Sequence, residues 1–154
     1  MDDYKRAYED VNLDVIKNNV DIIMKRTKPG TKALIVVKAD AYGHGDVPVA
    51  RALESRADYF AVATGPEAIN LRENGITKPI LILGFVAYEE YEDLINNDVD
   101  LVIFDKESAD ALSEAAKKIG KTAKCHVKVD TGMRRIGVEP VKESVEIVKY
   151  IKDL

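Results

Sequence analysis

Short apolar runs rich in β-branched residues recur along the chain and alternate with longer stretches in which apolar residues fall at helical spacing. The apolar runs predict five strands, at 33–38, 59–63, 79–83, 100–104 and 125–129. The stretches between and after them predict five helices, at 47–55, 66–74, 88–96, 106–119 and 141–152. Strand and helix are therefore expected to alternate along most of the chain.

Another helix is predicted ahead of the first strand. Its apolar positions fall at helical spacing, and they are Leu13, Ile16, Val20 and Ile23. Asn12 precedes them and is suited to cap the N-terminus of this helix. Gly75 and Gly120 follow two of the other predicted helices, where a left-handed C-cap residue is favoured, and Pro66 suits a first helical turn.

Runs that are apolar on both faces, joined by segments long enough for crossover helices, are typical of a parallel sheet covered by helices. This pattern limits the fold to an α/β barrel or a doubly wound α/β sheet. No linker, low-complexity tract or charge block divides residues 1–154, so we interpret them as one domain.

The charge and the length of the apolar runs argue against nucleic-acid and membrane partners. The formal net charge is −4, and lysines and glutamates are mixed along the chain, so no basic stripe for nucleic acid is present. The longest apolar runs are far shorter than the roughly 20 residues that span a bilayer. The N-terminus lacks the layout of a secretory signal, so we expect a cytoplasmic protein without membrane or nucleic-acid partners. Cys125 lies within an apolar run and is expected to be buried.

A lysine closes the first predicted strand, because Lys38 follows two valines and precedes a glycine-rich loop. In parallel α/β folds the C-terminal strand ends carry the active site, since the loops there converge. Partial desolvation at such a place favours the neutral, nucleophilic amine that a Schiff base requires. On these residues alone, Lys38 could equally pair with a nearby carboxylate such as Asp40.

The loop after Lys38 contains groups that could serve a phosphate. Gly43 and Gly45 permit positive φ or a close backbone approach, and Tyr42 offers a hydroxyl on a rigid aromatic arm. The same residues could also form a plain turn. His44, between the two glycines, is assigned no role.

The fifth predicted strand carries polar side chains on one face, because the period of two places His126, Lys128 and Asp130 together. Charges on an inner strand face are costly unless they are paired or used, so this face is expected to line a site. Arg134 and Arg135 follow the strand, and a guanidinium binds carboxylate or phosphate through a fixed fork. We expect one of them to bind an oxyanion and the other to be solvated.

Two runs resemble the alanine racemase family. The run V-K-A-D-A-Y-G-H-G at 37–45 resembles the pyridoxal phosphate (PLP) lysine signature of these enzymes. The run at 127–137 resembles the family pattern K-x-D-T-G-M-x-R-x-G, in which Arg134 fills the variable position and Arg135 the functional one. A weaker similarity at 12–16 extends the resemblance across nearly all of the chain.

The resemblance implies a PLP-binding TIM barrel, with Lys38 forming the Schiff base with PLP and serving as the base for the D-alanine α-proton. It further implies that Tyr42 contacts the cofactor phosphate, and that Arg135 reaches the cofactor's phenolic oxygen and the substrate carboxylate. Lys128 matches a family position that is often carbamylated, and a carbamate there would hold Arg135. No metal site is expected.

The implied function is interconversion of L-alanine and D-alanine, which supplies D-alanine for peptidoglycan. A TIM barrel has eight βα units in about 250 residues, so we expect this chain to be a partial barrel of about five units. The remaining units and the family's C-terminal β-domain are expected to be absent, and the chain alone to be inactive or nearly so. Open strand edges also predict self-association, that is, a homo-oligomer.

Three alternatives stay open. The chain could be a PLP-binding barrel without turnover, which needs Lys38 and Tyr42 but no second base. It could belong to a racemase that acts on serine or on a broader set of amino acids. It could also be an α/β module without a ligand, in which Lys38 pairs with Asp40 and Lys128 with Asp130.

Overall fold

Five parallel strands form one sheet in the computed structural model, which describes residues 8–154. The strands are β1 Leu34–Val36, β2 Tyr59–Val62, β3 Ile80–Ile82, β4 Val99–Ile103 and β5 Cys125–Val127. Each strand pairs with the next one in the sequence, so the order across the sheet is β1-β2-β3-β4-β5. A doubly wound sheet would reverse its strand order part of the way across. Sequential order is that of a barrel wall, which confirms the partial TIM barrel of about five units that the family resemblance implied.

Helices connect the strands and cover one face of the sheet. They are α1 Leu13–Lys25, α2 Lys38–Tyr42, α3 Asp46–Leu53, α4 Gly65–Glu73, α5 Tyr91–Asn96, α6 Lys106–Lys118 and α7 Val145–Lys152. Single 3-10 turns precede two of them, at Tyr88–Glu90 and Lys142–Ser144. The predicted helices are confirmed except that α2, a left-handed turn directly after β1, was predicted only as a glycine-rich loop.

The predicted helix boundaries are also confirmed at their caps. The Asn12 Oδ1 atom accepts hydrogen bonds from the amides of Asp14 and Val15, at 3.0 and 3.1 Å. Gly75 and Gly120 adopt φ of 81° and 66° after α4 and α6, the left-handed conformation that a C-cap requires. These local interactions fix where the helices end independently of their packing.

The core lies between the convex face of the sheet and the helices. Its largest fully buried side chains include those of Phe60, Ile80, Ile82, Leu101 and Ile103, which alternate along β2, β3 and β4. The outer strands are more open: in β1, Leu34 is 43% exposed. Cys125, in β5, is exposed as well, so the prediction that it is buried is wrong. An edge strand has a neighbouring strand on one side only, which leaves its side chains accessible.

Within residues 8–154, no helix combines the length and the apolar composition that crossing a bilayer would require.

Arg72 of α4 connects the two segments that lead into β3 and β4. Its guanidinium donates to four backbone carbonyls, those of Asn97 (2.9 Å), Ile76 (2.7 Å), Lys78 (2.7 Å) and Asp98 (2.8 Å). These carbonyls belong to the segments that lead into β3 and β4. One planar donor group therefore satisfies backbone acceptors from two successive βα units.

We expect Arg72→Lys to lower the free energy of unfolding by about 2–3 kcal/mol, because an ammonium cannot reach all four carbonyls at once. Urea denaturation followed by circular dichroism measures this loss. Arg51→Lys is the matched control, since the Arg51 guanidinium donates to a single carbonyl, that of Asn74. Equal losses in the two variants would contradict the proposed role of Arg72.

Candidate functional site

The backbone after Lys38 adopts an unusual conformation. Four successive residues with side chains, Ala39, Asp40, Ala41 and Tyr42, have φ between 51° and 58°. With ψ near 45°, the first three form one turn of left-handed helix. L-residues rarely adopt this conformation, and such strain is often found at functional sites. Gly43 and Gly45 continue with φ of 89° and 85°, which confirms that they use positive φ.

Hydrogen bonds hold the two ends of this turn. At its start, the Ala39 amide donates to Glu67 Oε1 of α4 at 2.8 Å. At its end, Asp40 Oδ1 accepts from the amide of Asp46 at 2.9 Å, and the Nδ1 of His44 lies 2.9 Å from the carbonyl of Ala41. Neither His44 nor Glu67 is among the site residues predicted from the sequence. A Thr64 capping box places Glu67 in the first turn of α4, and the T-x-x-E pattern is its sequence signal.

Lys38 lies at the carboxyl end of β1 and is half-buried. Its Nζ atom is 6.0 Å from the centroid of the Tyr42 ring, at the outer limit of a cation–π contact. The Tyr42 side chain is 63% exposed, so its hydroxyl is accessible. Lys38 and Asp40 form no ion pair within 4 Å, which removes one premise of the ligand-free alternative.

Lys128 follows β5 and turns toward the same end of the sheet. Its Nζ donates to the carbonyl of Leu83, after β3, at 2.9 Å. Burial lowers the pKa of Lys128, and the positive charges of Arg135 and Lys38 lower it further, against the opposing effect of Asp130. Arg135 and Lys38 are therefore both close enough to Lys128 to act on it electrostatically. The expected Lys128–Asp130 ion pair of the ligand-free alternative is not formed.

Asp130 shapes the loop that carries the two arginines. Its carboxylate accepts from the amides of Gly132 (2.8 Å), Arg134 (2.9 Å) and Arg135 (3.1 Å), which lowers the pKa of Asp130. Gly137 closes the loop at φ of 134°, where a Cβ atom would lie 2.6 Å from the Asp130 amide nitrogen. Asp130 thus organises the loop backbone, a function that alternation along the strand did not reveal.

His126 does not join the lysines, although the sequence places it on their strand face. It lies near the amino ends of the strands, where its Nε2 is 3.4 Å from Oδ2 of Asp100. The same Oδ2 accepts from the Tyr59 hydroxyl at 2.5 Å, and this hydrogen bond together with burial raises the pKa of Tyr59 to about 12. Asp100 is only 2% exposed. The polar residues His126 and Lys128 therefore lie in two different surroundings, one beside Asp100 and the other at the carboxyl end of the sheet.

The carboxyl end of the sheet thus combines two amines, a guanidinium and a phenol hydroxyl. None of the three cations forms an ion pair within residues 8–154. Over the same residues, no group of three or more His, Cys, Asp or Glu side chains is arranged to hold a metal ion. Such a set of donors suits an anionic ligand that also carries a group able to react with an amine.

Comparison with known proteins identifies relatives across almost the whole chain. The family model for the alanine racemase N-terminal domain matches residues 11–154. The alanine racemase of Methanococcus maripaludis is 45% identical over 148 residues, which is 96% of this chain and 40% of that protein.

Solved structures give the same result. An alanine racemase from Clostridium difficile 630 has a TM-score of 0.86 at 44% identity, covering 93% of this chain and 37% of that one. A complex of the alanine racemase of that organism with cycloserine has the same TM-score and identity, and 39% of its chain is covered. The chain therefore spans about two fifths of the length of these relatives.

We expect Arg135→Gln to raise the pKa of Lys128, because it removes the positive charge that lowers this pKa more strongly than Lys38 does. Nuclear magnetic resonance (NMR) titration of the labelled lysine Cε carbons measures this pKa. Arg134→Gln is the control and should leave this pKa unchanged, since Arg135, and not Arg134, is among the charges that act on Lys128. An equal rise of the Lys128 pKa in both variants would contradict the assignment of this effect to Arg135.

Proposed function

The chain belongs to the alanine racemase N-terminal domain family, and we propose that it carries the lysine-bearing part of a PLP-dependent racemase that interconverts L-alanine and D-alanine. In this proposal the product D-alanine supplies peptidoglycan synthesis in the cytoplasm, and the assembled enzyme is a homodimer. Residues 1–154 represent the N-terminal part of the barrel domain.

The observation that carries the proposal is the group of cations at the carboxyl end of the sheet, Lys38, Lys128 and Arg135, none of which forms an ion pair with a residue that the structure describes. An amine there can bind an aldehyde, while the neighbouring positive charges attract a phosphate or a carboxylate. This donor set fits PLP, which is anionic and carries an aldehyde. PLP supplies the electron-withdrawing ring that makes the α-proton of an amino acid acidic.

The remaining roles are assigned to this chain's own residues. We assign to Lys38 Nζ the covalent attachment of the cofactor and the movement of the proton at Cα of D-alanine. Tyr42, with its exposed hydroxyl, is assigned to the phosphate. Arg135 is assigned to the cofactor's phenolic oxygen and to the substrate carboxylate, where its fork allows two hydrogen bonds.

Lys128 is proposed to carry a carbamate. Its lowered pKa increases the share of neutral amine, which is the form that adds carbon dioxide with loss of one proton. The product is an anion beside Arg135, so repulsion between two cations becomes attraction. This change would fix the guanidinium in place for its ligands.

We expect PLP to attach to Lys38 when the chain is incubated with the cofactor and the adduct is fixed with borohydride. Peptide mass spectrometry locates the modified lysine. Lys38→Ala should abolish the adduct and the visible absorbance that accompanies it. Lys32→Ala, which removes an exposed lysine just before β1, should preserve both. Equal labelling of many surface lysines would contradict the assignment.

With PLP bound, we expect the chain to exchange the α-proton of D-alanine with heavy water faster than that of L-alanine, while conversion between the two stays slow. Racemisation by two bases needs a group on each side of the substrate plane, and Lys38 is one of them. NMR follows the exchange, with Lys38→Ala as the control. A PLP-binding barrel without turnover would show no exchange, and the same assay with serine compares the substrates.

A further inference from the structure

Helix α4 reaches the Lys38 turn through two side chains on one of its faces. Glu67 and Asn70 are three residues apart, so they lie one above the other on the helix surface. Glu67 contacts the start of the turn, at Ala39. The Nδ2 of Asn70 donates to Oδ2 of Asp46 at 2.9 Å, and the Asp46 amide is held by Asp40. Both ends of the turn are therefore fixed to the same helix.

The Glu67 carboxylate connects two different loops. Its Oε1 accepts from the Ala39 amide, after β1, at 2.8 Å. Its Oε2 accepts from the amides of Ala63 (2.7 Å) and Thr64 (3.2 Å), after β2. The capping box of α4 needs only the contact to the amide of Thr64, the N-cap residue. The contact to Ala39 is additional and reaches 28 residues back along the chain.

The Ala39 amide belongs to the peptide that joins Lys38 to the left-handed turn. An amide at the start of a helical turn has no acceptor within the turn, so an outside group must satisfy it. Fixing this peptide plane also fixes the direction in which the Cα–Cβ bond of Lys38 points. A carboxylate is the strongest neutral-pH acceptor that a side chain can offer to an amide.

We propose that Glu67 is a positioning residue for Lys38: it holds the peptide after the lysine and so directs the amine to its ligand. The proposal rests on the PLP-binding role of Lys38. It predicts that shortening Glu67 weakens cofactor binding even where the cap of α4 is kept.

The test uses Glu67→Asp in this chain. Aspartate keeps the charge and can still accept from Ala63 and Thr64, but it is one methylene too short to bridge to Ala39. We expect the Ala39 amide to exchange with heavy water about tenfold faster than in the wild-type chain, without PLP present. We also expect the affinity for PLP, measured by absorbance titration, to fall about tenfold, which corresponds to about 1.4 kcal/mol.

Two control variants separate positioning from stability. Arg72→Lys destabilises the same helix without touching the Lys38 turn, and it should leave both readouts unchanged under conditions where the chain is folded. Glu146→Gln neutralises an exposed glutamate in the first turn of α7 and should be silent.

The outcomes distinguish the two proposals. If the wild-type chain takes up no PLP on Lys38, the proposed function fails, and exchange at Ala39 still decides whether Glu67 holds the turn. Unchanged exchange in Glu67→Asp overturns the positioning role. Faster exchange with unchanged PLP affinity overturns it as well, because the turn would then be held without effect on the amine.

Discussion

A left-handed turn of four residues with side chains is the backbone feature on which the candidate site depends. Each such residue costs roughly 1–2 kcal/mol relative to the right-handed conformation, so the turn needs support from outside itself. That support comes from the Ala39–Glu67 and Asp40–Asp46 hydrogen bonds and from burial of Ala41, which is 6% exposed. Lys38 and Tyr42 are thereby held at the two ends of the turn, with the amine 6.0 Å from the ring centroid.

The parallel direction of the strands has an electrostatic consequence. Parallel strands have all their carboxyl ends at one edge of the sheet, so cations that are distant in sequence meet there. Lys38 and Lys128 are 90 positions apart by their numbers, yet the first lowers the pKa of the second. Repulsion among Lys38, Lys128 and Arg135 opposes folding, since no carboxylate within residues 8–154 pairs with them. Binding of an anion would offset this repulsion and so stabilise the folded chain.

Strand and helix alternation was predictable because each element carries its own periodicity and caps, as at Asn12 and Gly120. Periodicity alone did not separate a barrel from a doubly wound sheet, because it contains no information about which strands are neighbours. The barrel was predicted only through the family resemblance of the runs at 37–45 and 127–137, and the sequential strand order confirms it. Burial of Cys125 was predicted wrongly for the same reason: an apolar run indicates a strand but not an edge. The left-handed turn was also missed, because its conformation is imposed by contacts with α4, and Ala39 and Ala41 show no preference for positive φ.

His126 and Lys128 show why one sequence pattern can cover two residues with different surroundings. His126 and Lys128 share a strand face, and both looked costly to bury. His126 has a partner inside the fold, because Asp100 lies beside it and is in turn bonded to Tyr59. The Lys128 amine donates to the carbonyl of Leu83 and, within residues 8–154, forms no ion pair. Period-two alternation identifies the face of a strand on which a polar residue lies. Whether that residue has a partner inside the fold depends on β2, β3 and β4 and the loops after them. Those partners are set by the pairing of the strands, so a structural residue and a ligand-binding residue can alternate with the same spacing along one strand.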